Sequence, residues 1–292
     1  MPFFSEDDID EIIPQLEEIL KGNGFFTKGP KVKEFEKSFS EYLGSKYGVA
    51  VNSCTSALEI VLKAIGISDG DEVIVPTQTF VSTASCVVNN GGTPIFCEIN
   101  HNHLVDFDDL KAKISDSTKA VIIVHFSGLI HPDIWEIKKY LEERNIYLIE
   151  DAAHAHGAKI DNIFAGNIGD FGCFSFYSTK IITTGGEGGF ISTNDEKFFN
   201  LCSSLGAIGI DKKSNDEIYI NAGSNNRLTE FQAIIGIAQL NKLESFVKHR
   251  ILIADVYKNK LSQLADGGFI KFQEFPQNIR HPYWRFIVLI EN

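Results

Sequence analysis

Short apolar runs alternate with amphipathic stretches through most of the chain. Seven runs rich in Val, Ile and Phe have the length and residue types of buried strands. They cover residues 47–51, 72–75, 94–97, 120–124, 146–149, 172–176 and 190–192. Stretches with helical periodicity lie between many of them, at residues 55–65, 81–89, 108–114 and 133–144. This alternation is typical of a mostly parallel sheet covered by helices on both faces, so we predict an α/β fold.

The pattern changes after residue 195. Helical stretches follow at residues 196–205, 228–243 and 249–264, with a polar loop at 209–224. We predict a boundary near Ser245, which gives a large domain of residues 1–245 and a small α+β domain that starts at residues 246–292. A strand-like run at 283–290 lies directly before the last residue. We therefore expect the small domain to be incomplete.

Composition narrows the classes of function. The 292 residues carry a formal net charge of −12, which argues against nucleic acid or an anionic membrane as the main partner. The acidic amino terminus is unlike a signal peptide, and no apolar run approaches the ~18 residues of a membrane span. The five cysteines are widely spaced and show no metal-ligand pattern. Buried free thiols in a reducing compartment are the better interpretation, so we expect a cytoplasmic protein without nucleic-acid or membrane partners.

Two of the predicted strands lead to groups that suit one ligand. Asp151 closely follows the run at 146–149, and Lys180 closely follows the run at 172–176. Alone, Lys180 would be read as a surface charge and Asp151 as a helix cap. Ligands of α/β sheets bind at the carboxyl ends of strands, however, so the two side chains are placed to face the same ligand. Pyridoxal phosphate (PLP) is such a ligand, because its aldehyde needs an amine for a Schiff base and its ring nitrogen needs a carboxylate.

These segments resemble the signature of the DegT/DnrJ/EryC1/StrS sugar aminotransferases. The matching segments are DAAHAHG at 151–157, FSFYSTK at 174–180 and GEGG at 186–189. The resemblance extends from about residue 25 to residue 243. It implies the aspartate-aminotransferase-like fold of PLP-dependent transferases, with a large PLP-binding domain followed by a small carboxyl-terminal domain.

The resemblance also implies roles for residues around the cofactor ring. Lys180 would form the covalent link to the cofactor and later shuttle the proton. Asp151 would pair with the ring nitrogen, and His154 would hydrogen-bond the ring hydroxyl. Phe80, which follows the predicted strand at 72–75, would stack on the ring.

A second set of residues would bind the cofactor phosphate. Thr55 and Ser56 stand at a predicted helix start, where backbone N–H groups suit an anion, and they match the family's phosphate segment. Ser175 matches its phosphate-contacting serine. Asn225 lies in a segment similar to the family's G-x-N-x-R motif, whose asparagine reaches the phosphate in the neighbouring subunit. This match implies a homodimer with shared active sites.

The implied reaction has glutamate and a nucleotide-linked keto sugar as substrates, in amino-sugar or surface-polysaccharide biosynthesis. A dehydratase branch of the family carries histidine in place of the Schiff-base lysine, so Lys180 argues against that reaction. Cysteine desulfurases share the wider fold but need a mobile cysteine, whereas Cys173 and Cys202 lie in apolar surroundings. A PLP-binding sensor without turnover remains an alternative, because of the short carboxyl end.

We expect Arg227 to contact substrate or an interface, and Arg285 to lie in the core of the small domain.

Overall fold

The structure, a computed structural model, describes residues 3–211 and 218–291. Residues 212–217 of the predicted polar loop lie outside the described residues, as do residues 1, 2 and 292. From the amino terminus the elements are α1 (Glu6–Glu18), α2 (Pro30–Leu43), β1 (Tyr47–Val51), α3 (Cys54–Ala64), β2 (Glu72–Pro76), α4 (Val81–Asn89), β3 (Thr93–Cys97), α5 (Phe107–Lys113), β4 (Thr118–Val124), α6 (Ile134–Glu142) and β5 (Tyr147–Asp151). The chain continues with β6 (Lys159–Ile160), β7 (Ile163–Phe164), β8 (Phe171–Ser175), β9 (Gly189–Thr193), α7 (Glu196–Leu205), α8 (Glu230–Leu240), α9 (Leu243–Lys260), α10 (Ser262–Asp266), β10 (Ile270–Phe272), β11 (Ile279–Arg280) and β12 (Val288–Ile290).

Within these residues, seven strands form one sheet in the order β1-β9-β8-β5-β4-β2-β3. Strands β3, β2, β4, β5 and β8 pair in parallel, whereas β9 is antiparallel to both of its neighbours. The predicted mostly parallel α/β fold is therefore confirmed. Asp151, the last residue of β5, pairs with Cys173 of β8, so the carboxyl ends of these two strands lie side by side.

Both faces of the sheet are buried, as the continuous apolar runs require. In β4, for example, Val121 packs into one core layer and Ile122 into the other. In the first layer, the Phe39 ring of α2 meets the rings of Phe174 and Phe190 nearly at right angles, with centroid distances of 5.1 and 4.9 Å. Edge-to-face pairs of this kind contribute about 0.5–1.5 kcal/mol beyond burial. They fix α2 against β8 and β9, the strands that flank the lysine turn.

The carboxyl-terminal part differs from the sequence prediction in two ways. Helix α9 begins at Leu243, six residues before the predicted start at 249, so the predicted boundary at Ser245 lies inside a helix. Strand β11 pairs with β6, which joins this part of the chain to residues 159–164. The division into two domains stays a prediction.

The predicted strand at 283–290 is wrong over most of its length. Only Val288–Ile290 pairs as a strand, with β10. Tyr283 has a φ of +48°, which strand geometry excludes. The carbonyls of Tyr283 and Trp284 accept hydrogen bonds from the Arg250 guanidinium, at 3.1 and 3.4 Å. The first residues of this run therefore form a tight turn and, within the described residues, do not pair with a neighbouring strand.

Candidate active site

A cavity of about 630 Å³ opens at the carboxyl ends of the parallel strands. Its walls come from the ends of β5 and β8, the starts of α3 and α4, and a late segment at residues 284–285. The lining residues include Ser53, Cys54, Thr55, Thr79, Phe80, Ser82, Thr83, Phe126, Asp151, His154, Ser175, Tyr177, Thr179, Lys180, Glu187, Trp284 and Arg285. The cavity lies where ligands bind in α/β sheets.

Asp151 is buried, and both of its carboxylate oxygens are engaged. Oδ1 accepts the Ala153 N–H at 3.2 Å, and Oδ2 accepts the Thr83 hydroxyl at 3.1 Å. Thr83 Oγ1 lies 2.7 Å from Thr79 Oγ1, so a chain of two hydroxyls leads to the carboxylate. Burial raises the pKa of Asp151, although the Ala153 N–H and the Lys180 charge oppose the shift. A protonated nitrogen beside this carboxylate would stabilise its charged form.

Lys180 lies in a turn after β8, where its N–H donates to the Tyr177 carbonyl at 2.8 Å. Burial lowers the pKa of Lys180, and the nearby Asp151 charge opposes the shift. A lowered pKa increases the fraction of neutral amine, which is the form that attacks an aldehyde. The Lys180 side chain is therefore suited to act as a nucleophile.

The His154 ring stacks on the Trp284 indole, with centroids 3.7 Å apart and planes at 10°. Trp284 Nε1 donates to the Thr179 carbonyl at 2.9 Å, which fixes the indole against the lysine turn. Burial lowers the pKa of His154 to about 2, with the Lys180 and Arg285 charges as further causes. The imidazole is consequently neutral at physiological pH, and its Nδ1 is buried without a hydrogen-bond partner in the described residues. A ligand hydroxyl would satisfy that nitrogen.

The other end of the cavity is built around the start of α3. Ser53 is the N-cap of α3, and its Oγ accepts the Ser56 N–H at 3.1 Å. Thr55 Oγ1 donates to Ser82 Oγ at 2.9 Å, and the buried Ser175 ends β8 nearby. A Cβ added to Gly189 would lie 2.3 Å from the Ser53 carbonyl oxygen, so the backbones approach closely here. A helix start lined with hydroxyls is suited to bind a phosphate.

The structure brings most of the predicted site residues together. Six of them line the cavity: Thr55, Phe80, Asp151, His154, Ser175 and Lys180. Ser56 lies behind the wall, with its hydroxyl 3.0 Å from Ser53 Oγ. Asn225 is exposed and pairs with Ala207, outside this cavity. The roles that the resemblance implies for these residues stay predictions.

Sequence reasoning missed Thr83, Trp284 and the place of Arg285. Thr83 occurs in an ordinary helical pattern, and its contact with Asp151 depends on how α4 packs beside β5. Arg285 was expected in a core but is exposed and lines the cavity. Its aromatic neighbours suggested burial, whereas the turn at Tyr283 directs residue 285 outward.

The residues present fit PLP. The cavity offers an amine, a buried carboxylate and a phosphate-binding helix start on separate walls, together with an unsatisfied imidazole nitrogen. In the ranges 3–211 and 218–291, no cluster of three or more His, Cys, Asp and Glu side chains is arranged to hold a metal ion. None of the helices there is both long and apolar enough to cross a membrane.

The fold and the site define a PLP-dependent enzyme of the aminotransferase class. The chain belongs to the DegT/DnrJ/EryC1/StrS aminotransferase family, whose sequence profile matches residues 6–292. It is 38% identical to the spore coat polysaccharide biosynthesis protein SpsC of Bacillus subtilis, over 90% of this chain and 69% of that protein. It is 35% identical to the GDP-perosamine synthase of Escherichia coli O157:H7, over 94% of this chain and 73% of that protein.

A solved structure shows the same fold. The crystal structure of NtdA from Bacillus subtilis with bound cofactor PMP superposes with a TM-score of 0.90 at 30% identity. The match covers 99% of this chain and 65% of that one. The resemblance seen in the sequence is thus confirmed, as are the fold and PLP as the cofactor.

Proposed function

We propose that this protein transfers the amino group of glutamate to a nucleotide-linked keto sugar. The observation that carries the proposal is Lys180 on the same cavity as the buried Asp151 carboxylate. A lysine at this position supports amino transfer over the dehydratase reaction that the family resemblance offers as an alternative. The similarity to a GDP-perosamine synthase supports a nucleotide-linked sugar as the acceptor.

Each side chain has a distinct task in this proposal. Lys180 holds the cofactor, and its amine then carries the proton between the two carbons that flank the transferred nitrogen. Asp151, fixed by Thr83 and Ala153, keeps the positive charge of the ring nitrogen in place. PLP, when bound by these residues, would supply an electron-accepting ring. His154, neutral because of burial, orients the ring through its free nitrogen.

The phosphate and the ring face have separate supports. Thr55 and Ser175 bind the phosphate at the start of α3. Ser56 supports this helix start through the hydrogen bond between its hydroxyl and that of the N-cap residue Ser53. Phe80, 70% exposed at the cavity mouth, stacks on the ring. The segment that contains Asn225 is similar to the family's G-x-N-x-R motif, and Asn225 is exposed outside the cavity of its own chain. We therefore infer a homodimer in which Asn225 of one copy reaches the phosphate in the other.

The first experiment is an absorbance spectrum of the protein with PLP, before and after glutamate. We expect wild type to show the band of a lysine-linked cofactor, and glutamate to convert it to the aminated form. Lys180→Ala should show no such band, whereas the control Lys197→Ala, at an exposed lysine of α7, should behave as wild type. A lysine-linked band that glutamate leaves unchanged would contradict the proposal and favour a binding protein without turnover.

Mixing two inactive variants tests the shared site. In a dimer that combines Lys180→Ala and Asn225→Ala subunits, one site keeps both residues and the other loses both. An equal mixture, allowed to exchange subunits, should recover about a quarter of wild-type activity. Either variant alone should stay inactive or weak. No recovery, with exchange shown by mass measurement, would refute the shared site.

A further inference from the structure

The Arg285 guanidinium lies on the cavity wall without an anionic partner. In the described part of the chain, no carboxylate lies within salt-bridge distance of it and no acceptor within hydrogen-bond distance. The nearby Arg280, by contrast, donates to both oxygens of Glu244, at 3.2 and 2.8 Å. Arg250 donates to main-chain carbonyls. A guanidinium has five donors arranged to bind a carboxylate, and those of Arg285 remain available to a ligand.

The backbone before Arg285 is held in an unfavourable conformation. Tyr283 has a φ of +48°, which is rare for an aromatic residue. Three contacts maintain it: Tyr283 N–H donates to His281 Nδ1 at 2.8 Å, its hydroxyl accepts from Lys258 at 2.9 Å, and Arg250 binds its carbonyl. Strain that the surroundings maintain is characteristic of functional sites. Here it places Trp284 and Arg285 in the cavity.

Trp284 links Arg285 to the reacting lysine. The Lys180 Nζ lies 4.6 Å from the indole centroid, and the Arg285 guanidinium carbon lies 4.4 Å from the same centroid. The two cationic groups are therefore at most 9.0 Å apart. An amino acid whose nitrogen replaces the Lys180 amine would place a carboxylate between these points, with N–H···O distances of about 2.8 Å to the guanidinium.

The charged residues of the cavity leave one cation for an incoming substrate. Its acidic residues are Asp151 and Glu187, and its basic residues are Lys180 and Arg285. Asp151 is assigned to the ring nitrogen, and a lysine that is covalently linked no longer serves as a free ammonium. Arg285 then remains as the cation that faces an incoming substrate, while Glu187 is an exposed carboxylate that forms no ion pair with it among the described residues.

We propose that Arg285 binds a carboxylate of the amino donor, with Trp284 holding the guanidinium in position. The inference rests on the proposed function, because it names the residue that selects the donor at that site. The diphosphate of a nucleotide-linked sugar is another anion that a guanidinium would bind. The transfer has two half-reactions, one in which glutamate aminates the cofactor and one in which the aminated cofactor aminates the sugar. Measuring them separately shows whether Arg285 binds the glutamate carboxylate or the diphosphate.

A binding measurement tests the site without turnover. The chain has two tryptophans, so Trp135→Phe leaves Trp284 as the reporter beside Arg285. Glutarate, a five-carbon dicarboxylate, should change the fluorescence of this variant in a saturable way. Adding Arg285→Gln should weaken glutarate at least tenfold, in line with the loss of a charge-assisted contact. An unchanged affinity would overturn the proposal.

The half-reactions identify the ligand. In the PLP-loaded protein, Arg285→Gln should raise the half-saturating glutamate concentration at least tenfold and leave the cofactor spectrum unchanged. Arg285→Lys should recover part of the loss. The control is Arg144→Gln, at an arginine that stacks on Tyr140 at 3.6 Å outside the cavity. A defect confined to the sugar-nucleotide half-reaction would overturn the assignment to the donor. Glutarate binding that depends on Arg285, in a protein that glutamate does not convert, would support the site and refute the proposed function.

Discussion

The buried carboxylate of Glu150 offers a sharp test of how the site is supported. Glu150 precedes Asp151 in β5 but points away from the cavity, and it is fully buried. It accepts the N–H groups of Gly166, Ile168 and Gly169 at 2.8, 2.7 and 2.7 Å. Its Oε2 also lies 2.7 Å from Nε2 of a buried histidine on the loop after β4. This one side chain therefore anchors the loop that leads into β8.

The expected cost of Glu150→Gln follows from these contacts. In the less costly orientation, the new amide NH₂ replaces Oε2 and donates to Nε2 of His125 in its other tautomer. The Gly166 N–H is then buried without an acceptor, which costs about 1–3 kcal/mol. The two bonds to Oε1 lose their charge assistance, and a neutral bond is worth about half as much as a charged one. We expect a total destabilisation of about 3 kcal/mol, a large share of the roughly 5–15 kcal/mol typical of native proteins.

Urea unfolding of the wild type and Glu150→Gln measures this difference. The matched control is Glu142→Gln, because Glu142 is 62% exposed and lies 3.6 Å from Lys138. An exposed pair of this kind should contribute less than about 1 kcal/mol. Amide exchange at Gly166 and Ile168 should also quicken in Glu150→Gln. Equal stabilities for the two variants would refute the assignment of Glu150 as the anchor of the loop.

Three further predictions concern other parts of the fold. Glu230→Gln should destabilise by about 2–4 kcal/mol in urea unfolding, because the Glu230 carboxylate accepts three N–H groups at the start of α2. Gly189→Ala should weaken PLP binding, measured by equilibrium titration, because its Cβ would lie 2.3 Å from a backbone oxygen at the start of α3. Acid should destabilise the cofactor-free protein, since burial lowers the pKa of His154, His156 and His281 to about 2, 3 and 3. Below the unfolded pKa of about 6.5 the unfolded chain binds more protons than the folded protein. The free energy of unfolding should therefore fall by about 2 kcal/mol per ring between pH 7 and 5. A urea midpoint that stays constant over that range would contradict this prediction.

The sheet was predictable because its signals are local. A strand that is buried on both faces reads as a nearly continuous apolar run, and the runs that became β4, β5 and β8 have this pattern. The exceptions in β5 are Glu150 and Asp151 at its carboxyl end, which are buried but hydrogen-bonded. The ends of those strands placed Asp151 and Lys180 at one edge. The principal chemistry of the site could therefore be inferred from short segments.

The carboxyl-terminal turn was not predictable for the opposite reason. Residues 283–290 have the apolar pattern of a strand, but Arg250 of α9 binds the carbonyls of Tyr283 and Trp284. Trp284 then stacks on His154, far away in the sequence. No local pattern encodes these contacts, so both the strand and the core position of Arg285 were predicted wrongly.

Motif residues acquire their reactivity from contacts that the motif does not contain. Lys180 is an ordinary amine until burial lowers its pKa, and part of that burial comes from the indole of Trp284. Asp151 would be one more buried carboxylate without the Thr83 hydroxyl that α4 directs at it. In this protein the sequence motif indicates which groups are candidates for the chemistry, and the packing of distant segments shifts their pKa values. Substitutions at Trp284 and Thr83 should therefore alter the chemistry of Lys180 and Asp151 even though every motif residue is retained.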